Sequence, residues 1–193
     1  MTRAAFVLEQ KSDLLSCLEN QVTSQLDSPV CDVSVLDGAV VVQMLNPGPC
    51  KTFEDYAVSV FVPFIVSQLK KVTRLDLVWD QYFQMSLKAT TRSKRGSGVR
   101  RRVLPGAELP RNWADFLHNE DNKKELFHFL SPYLISISVD ASKHLVVTDG
   151  ENTLSRNYAV SSALSPCSHE EADTRMILHA ADAASVGYTR VLI

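Results

Sequence analysis

Short apolar or β-branched runs alternate with longer segments of helical spacing along this chain. Four segments have the composition of buried strands: residues 32–37, 74–80, 143–149 and 189–193. Helices are predicted between them, at residues 52–71, 113–118, 122–130 and 168–186. Strands that alternate with helices in this way predict an α/β fold with a mostly parallel sheet.

Local signals mark the ends of several of these elements. Thr-Phe-Glu-Asp at residues 52–55 predicts an N-cap followed by first-turn acids, and Lys70-Lys71 suits the negative end of the same helix. Asp-Gly pairs at residues 37–38 and 149–150 predict tight turns directly after two of the strands. Gly187 predicts the end of the last helix.

Two aspartates stand at the carboxyl ends of predicted strands. Asp37 ends the run DVSVLD, and Asp80 ends the run RLDLVWD. If these strands are neighbours in a parallel sheet, a right-handed crossover brings both carboxylates to the same edge. That edge is where open α/β sheets bind their ligands.

A third group of acids lies in the segment SHEEADTR, residues 168–175. Ser168 followed three residues later by Glu171 fits a capping box, which would place the acids Glu170, Glu171 and Asp173 in the first helical turn. Hard divalent cations need only a few oxygen ligands and keep several waters. The candidate ligands for Mg²⁺ or Mn²⁺ are Asp37, Asp80, Glu171 and Asp173. As an alternative, the acids near the helix simply complement its dipole.

Charge is unevenly distributed, although the formal net charge is only −2. The segment 86–102 carries no acid and has these cations: Lys88, Arg92, Lys94, Arg95, Arg100, Arg101 and Arg102. A strand-end carboxylate beside so many cations indicates a site for a polyanion, so nucleic acid is the expected partner. A solvated loop and a nuclear import signal are the other interpretations of the same charge, and import would make the protein nuclear.

Composition narrows the class of protein. With 45% hydrophobic and 22% charged residues, the 193-residue chain can bury the core of one globular domain. It has no run approaching the ~20 apolar residues of a membrane span and no signal peptide, so an intracellular protein is expected. The cysteines form no Cys-x-x-Cys pair. His118, His128 and His144 lack partners at ligand spacing and are predicted to be surface or core residues.

Three blocks of sequence resemble the successive motifs of the PIN-like nuclease superfamily, in particular its flap-endonuclease and 5′-3′ exonuclease branch. They are VLDG around Asp37, VWDQY followed by SLKATTRSKRG, and EEAD. The resemblance implies a Rossmann-like α/β domain over residues 31–193, with a basic arch at 86–102 and metal-dependent nuclease activity. Residues 1–30 precede the first motif and are predicted to form a helical segment without an assigned role. A closer resemblance, over most of residues 32–193, is to multi-copy animal proteins of mobile-element type that share the SLK, KRG and HEEADTR blocks.

Matched position by position, the nuclease resemblance implies a role for each candidate residue. The implied metal ligands are Asp37, Asp80, Glu171 and Asp173. The implied catalytic residues, which would steer the scissile phosphate, are Lys88, Arg92 and Arg95. The nucleic-acid contacts would be these three together with Lys94, Arg100, Arg101 and Arg102.

The sequence departs from the nuclease pattern at its last strand. The family's next strand ends in Asp-x-Asp, whereas this sequence stops at Ile193 before reaching that point. We therefore expect a domain incomplete at its C-terminus, in which the ligands of a second ion are missing and cleavage is poor or absent. The alternatives are a non-catalytic nucleic-acid-binding module of a mobile-element-derived protein and a structural or protein-interaction domain whose acids are only caps and turns.

Overall fold

The computed structural model of the protein describes residues 30–82 and 99–193. The described residues from Cys31 onward belong to one compact unit. Their strands are β1 (Val33–Asp37), β2 (Arg74–Val78), β3 (His144–Asp149), β4 (Asn152–Arg156) and β5 (Val191–Leu192). Their helices are α1 (Gly38–Met44), α2 (Phe53–Tyr56), α3 (Val62–Lys71), α4 (Trp113–His118), α5 (Glu120–Ser136) and α6 (Ala172–Ser185), with a π-helical turn at Ala57–Phe61 between α2 and α3.

The five strands form one sheet in the order β4-β3-β2-β1-β5. β1 pairs in parallel with both β2 and β5, β2 pairs in parallel with β3, and only the edge strand β4 is antiparallel. The predicted α/β fold with a mostly parallel sheet flanked by helices is therefore confirmed. Strand β4 was not predicted, because the Asp-Gly turn before it closes a hairpin that leads into a polar strand, NTLSR.

Helices cover both faces of the sheet. Alternate strand residues such as Leu75 and Leu77 point into the larger core, which contains side chains from α1 to α5. The strand residues that alternate with these point to the other face of the sheet. On that face Val33, Val35 and Val78 pack against α6. Strands buried on both faces explain why these sequences read as continuous apolar runs rather than as alternating ones.

The predicted helix at residues 52–71 forms, but in three pieces. Thr52 accepts a hydrogen bond from the N–H of Asp55, and the Asp55 carboxylate accepts one from the N–H of Thr52, which makes a capping box. Pro63 lacks the N–H that would continue the helical ladder. The π-helical turn at Ala57–Phe61 lies just before it, as expected where a helix accommodates a missing bond.

The turn predicted at Asp37-Gly38 is wrong, since α1 begins there. Asp37 is the N-cap, and its Oδ1 accepts a hydrogen bond of 3.1 Å from the N–H of Val40. Gly38 is required because the Trp79 ring lies over it, and a Cβ at this position would be 2.2 Å from Cε3 of Trp79. Asp-Gly therefore serves here as a helix start beneath an aromatic ring.

Charged side chains are buried on the α6 face of β2. Arg74 and Asp76 are fully buried and are joined by two hydrogen bonds of 2.7 Å. From α6, Nδ1 of His179 lies 2.7 Å from Asp76 Oδ2, and Asp182 Oδ2 lies 2.8 Å from Nη1 of Arg74. We assign the imidazole proton to Nδ1, because its neighbour is a carboxylate and the buried Nε2 has no hydrogen-bond partner among the described residues.

The pKa shifts in this buried network agree with its ion pairs. Burial lowers the pKa of Arg74, but the Asp76 and Asp182 carboxylates outweigh burial, and the pKa is raised overall. Burial likewise raises the pKa of Asp182, whereas hydrogen bonds from Ser161, Tyr158 and Arg74 bring it below its usual value. Both groups therefore remain charged at neutral pH, and each has its counter-charge in contact.

We expect Gly38→Ala to destabilise the fold by about 3 kcal/mol, because the methyl group would overlap the Trp79 ring and the surrounding core cannot expand freely. Urea unfolding followed by tryptophan fluorescence measures the change. Gly106→Ala is the matched control, since a Cβ there meets no atom within 4 Å. Its free energy of unfolding should stay within about 1 kcal/mol of the wild type. Equal stability of the two variants would contradict the close approach of the ring.

Candidate metal and nucleic-acid site

The carboxyl ends of β1 and β2 carry the two strand-end aspartates. β1 and β2 are parallel neighbours, with Asp37 opposite Val78, and Asp80 follows two residues later. Both aspartates occupy positions on the α6 side of the pleat, in phase with Val35 and Val78. The predicted convergence of Asp37 and Asp80 on one edge of the sheet is therefore observed.

Asp80 is also fixed to the start of α6. Its Oδ1 accepts a hydrogen bond of 2.9 Å from the N–H of Ala172, and its Oδ2 accepts one of 3.2 Å from the hydroxyl of Tyr82. The backbone N–H of Gln81 donates to the carbonyl of Glu170 at 2.7 Å. The segment after β2 thus holds the residues before α6 against the carboxyl edge of the sheet.

The capping box predicted from Ser168 is wrong. The helix begins at Ala172, so Glu170 and Glu171 precede it and only Asp173 lies in its first turn. Glu171 is the N-cap, but its side chain makes no capping hydrogen bond. Asp80, distant in sequence, supplies the carboxylate that accepts from the first helical N–H, a contact that a local motif could not reveal.

Asp37 is the carboxylate with the clearest electrostatic perturbation in this cluster. Burial raises its pKa, hydrogen bonds from the N–H groups of Val40 and Ala39 oppose that rise, and the charges of Asp80 and Asp173 raise it further. The net shift is upward. Asp37, Asp80 and Asp173 therefore form one negative cluster, and a cation at this position would relieve their mutual repulsion.

The donor chemistry of this cluster suits a hard cation, whose preferred ligands are carboxylate oxygens and water. Across residues 30–82 and 99–193, no three His, Cys, Asp or Glu side chains are already arranged to hold a metal ion. Asp37 and Asp80 each accept a backbone N–H hydrogen bond instead. An ion bound here would use the remaining carboxylate oxygens together with water.

The sheet order places this cluster at a topological switch point. The chain runs from β1 to β2 on one side of β1, and it returns to β5 on the other side. In open α/β sheets, ligands bind outside the carboxyl ends of the strands where the order reverses in this way. Asp37, at the end of β1, lies at that position.

The basic segment is only partly described. Lys88, Arg92, Lys94 and Arg95 lie outside the described residues. Arg100 contacts the Glu125 carboxylate and the side-chain oxygen of Asn122, and Nε of Arg102 lies 3.3 Å from Glu125. Arg101 forms no ion pair within the described ranges, so it has the most available charge of the three arginines.

His128 has a partner that sequence spacing did not reveal. On α5, its Nδ1 lies 2.9 Å from Oδ1 of Asp149, the last residue of β3. Asp149 was interpreted only as part of a turn, although it ends a strand as Asp37 does. The same signal, an aspartate at the end of an apolar run, was present in the sequence for β1, β2 and β3.

Comparisons with protein-family models, with curated proteins and with solved structures gave no match to this chain. Among the described helices, none has both the length and the apolar character needed to cross a membrane.

We expect Asp80→Asn to lower the pKa of Asp37 towards its ordinary value, since one neighbouring negative charge is removed while burial remains. Asparagine can still accept the Ala172 N–H through Oδ1, so the start of α6 should be kept. Titration of the ¹³Cγ resonances by NMR measures the shift. Asp32 is an internal reference, because its pKa is lowered mainly by a hydrogen bond from Arg190. An unchanged Asp37 pKa would show that the two carboxylates do not interact.

Proposed function

We propose that this protein is a PIN-like, metal-dependent nuclease-like domain that binds nucleic acid. The observation that carries the proposal is the convergence of Asp37, Asp80 and the start of α6, which carries Asp173, at the carboxyl edge of a parallel sheet. Clustered carboxylates beside a cationic segment suit a divalent cation that in turn binds phosphate. The order of motifs along the sequence supports the same assignment.

In this proposal, Mg²⁺ or Mn²⁺ would be held by Asp37, Asp80 and Asp173, with Glu171 adjacent as the N-cap of α6. Such an ion would neutralise charge on the phosphodiester and lower the pKa of a bound water. The residues of the chain supply the negative site and fix its position through the hydrogen bond between Asp80 and Ala172.

The cationic segment is proposed to bind the phosphate backbone. Lys88, Arg92 and Arg95 would steer the scissile phosphate, and Lys94 would add a further contact. Among Arg100, Arg101 and Arg102, Arg101 has the most available charge, because Glu125 engages the other two. Nucleic-acid binding of this kind depends on salt and agrees with a nuclear location, which we also propose.

Two further functions remain as alternatives, each with an observation in its favour. A non-catalytic nucleic-acid-binding module is favoured by the finding that the described residues contain no ready three-ligand metal site. A protein-interaction domain is favoured by the structural roles of Asp37 and Asp80, which both accept N–H groups at helix starts. Metal and nucleic-acid binding distinguish among the three.

We expect the protein to bind Mn²⁺ weakly, and we expect Asp80→Asn to weaken that binding at least about tenfold, or ~1.4 kcal/mol, by removing one ligand charge. Calorimetry measures Mn²⁺ affinity, and labelled single-stranded DNA and RNA measure cleavage in Mg²⁺ and Mn²⁺. Cleavage is expected to be slow and to disappear in Asp80→Asn. Asp115→Asn, which changes an acid of α4, is the matched control and should leave Mn²⁺ affinity unchanged.

The outcomes separate the three functions. Equal Mn²⁺ affinity of wild type and Asp80→Asn would remove the metal site from the proposal. Nucleic-acid binding without metal-dependent cleavage would favour the binding module. Binding of neither metal nor nucleic acid would favour the protein-interaction domain.

We expect the triple change of Arg100, Arg101 and Arg102 to alanine to weaken nucleic-acid binding. For duplex DNA, the slope of log affinity against log salt should become shallower by about 0.9 for each phosphate that the variant no longer binds. Arg101→Ala should account for most of the effect, because the other two arginines contact Glu125. Arg156→Ala is the control, since Arg156 pairs with Leu145 near the amino end of β3, at the other end of the strands from the acidic cluster. Fluorescence anisotropy at several salt concentrations measures the slope, and an unchanged slope would rule out phosphate binding by these arginines.

A further inference from the structure

His128 and Asp149 form a dyad at the same edge of the sheet as the acidic cluster. The His128 side chain is 78% exposed, while that of Asp149 is 19% exposed. With Nδ1 hydrogen-bonded to the carboxylate, the Nε2 atom is the one left to exchange protons. A carboxylate that orients imidazole in this way also stabilises the protonated ring.

The dyad opens into a pocket that Asp80 also lines. This pocket has a volume of about 240 Å³ and lies between the ends of β2 and β3. Its walls include the aromatic rings of Trp79, Tyr82 and Phe127. The volume is below the ~300 Å³ at which drug-sized ligand sites begin, so the pocket suits a single group of a larger substrate.

The dyad and the acidic cluster approach the edge from opposite faces. Asp149 is in phase with Leu145 and Val147, which face the α5 side, whereas Asp37 lies on the α6 side. Asp80 bonds the start of α6 and also lines the pocket of the dyad. Neighbouring strands are ~4.8 Å apart, and β2, which Asp80 follows by two residues, lies between β3 and β1. A phosphodiester lying along the edge would therefore meet the acidic cluster from one side and Nε2 of His128 from the other.

Several charged groups face His128. Asp149 approaches from β3 and Asp80 from the end of β2, while Lys124 lies on the same helix and lines the same pocket. On its other side, His128 shares a shallow groove with Arg102, Glu125 and Lys124. This groove connects Arg102, the last residue of the basic segment, with the dyad, which gives a polyanion a path to the edge.

We propose that His128, oriented by Asp149, is the general base that activates water for phosphodiester cleavage at this edge. The inference rests on the proposed nuclease function and adds to it a proton acceptor that belongs to the chain itself. With such an acceptor, water activation does not depend on a second metal ion. Asp149 acts as a positioning residue, because it contacts the imidazole rather than the substrate.

Phosphodiester cleavage by this base would need only water and the substrate. The water oxygen forms a bond to phosphorus, and one water proton passes to Nε2 of His128. The bond between phosphorus and the leaving oxygen breaks, and that oxygen keeps the electron pair and takes a proton from solvent. The imidazolium of His128, stabilised by Asp149, then returns its proton to solvent.

His128→Gln should lower the cleavage rate about 100-fold, the lower end of the range for general acid–base catalysis. It should also remove the rise of rate with pH that a histidine base produces. His128→Ala should regain activity when imidazole is added, whereas Asp149→Asn should lower the rate and change the pH profile without imidazole rescue. His118→Gln, at an exposed histidine of α4, is the control and should behave as wild type. Wild-type rates in His128→Gln would overturn the proposal while leaving the nuclease function intact.

If cleavage is too slow to measure, NMR spectra of the protein with an uncleaved oligonucleotide test the role of His128. In Ca²⁺ and with a phosphorothioate oligonucleotide, the ring resonances of His128 should shift in NMR spectra and those of His118 should not. Asp149→Asn should move the His128 Nδ1 resonance before any oligonucleotide is added. If the oligonucleotide binds but the His128 resonances stay in place, the general-base role is wrong. If no oligonucleotide binds at all, the proposed function itself is wrong, and the general-base role of His128 is wrong as well.

Discussion

The buried ion network between β2 and α6 is the constraint on which the rest of the site depends. Removing one partner of a buried pair costs about 3–5 kcal/mol, because an uncompensated charge remains in the core. Two contacts of this network join β2 to α6: Asp76 with His179, and Arg74 with Asp182. Both can form only when α6 lies in one position along the sheet. A slide of one helical turn would separate His179 from Asp76. The network therefore fixes where α6 begins, and the first N–H of that helix falls at Asp80.

In this position, Asp80 has two effects of opposite sign on stability. As the acceptor of the Ala172 N–H, it stabilises the start of α6, and a charged acceptor at a helix start is favourable. As a neighbour of Asp37, it contributes the like charge that raises the pKa of Asp37. The repulsion between Asp80 and Asp37 is opposed by the hydrogen bonds that Asp80 accepts from Ala172 and Tyr82.

The sequence predicted the elements whose signals are local and missed the contacts that join distant segments. Apolar runs ending in aspartate identified β1, β2 and β3, and the N-cap predicted at Thr52 marked the start of α2. The helix start at residue 168 was misplaced, because its real acceptor is Asp80, 92 residues away. The buried network escaped notice for the same reason, since His179 and Asp76 are 103 residues apart. Charged residues in a strand otherwise buried on both faces were the available sign that a partner must exist.

The three strand-end aspartates have similar sequence settings but different electrostatic surroundings. Asp149 has an imidazole in hydrogen-bond contact, and Asp80 has the hydroxyl of Tyr82 and a backbone N–H. Asp37 has a backbone N–H as well, but it faces two further carboxylates, and its pKa is raised. Under the proposed function, a cation would lie beside Asp37 and its neighbouring carboxylates, and proton transfer would take place at His128, which Asp149 orients. In the proposed cleavage reaction, these different surroundings assign metal binding and proton transfer to different strand ends.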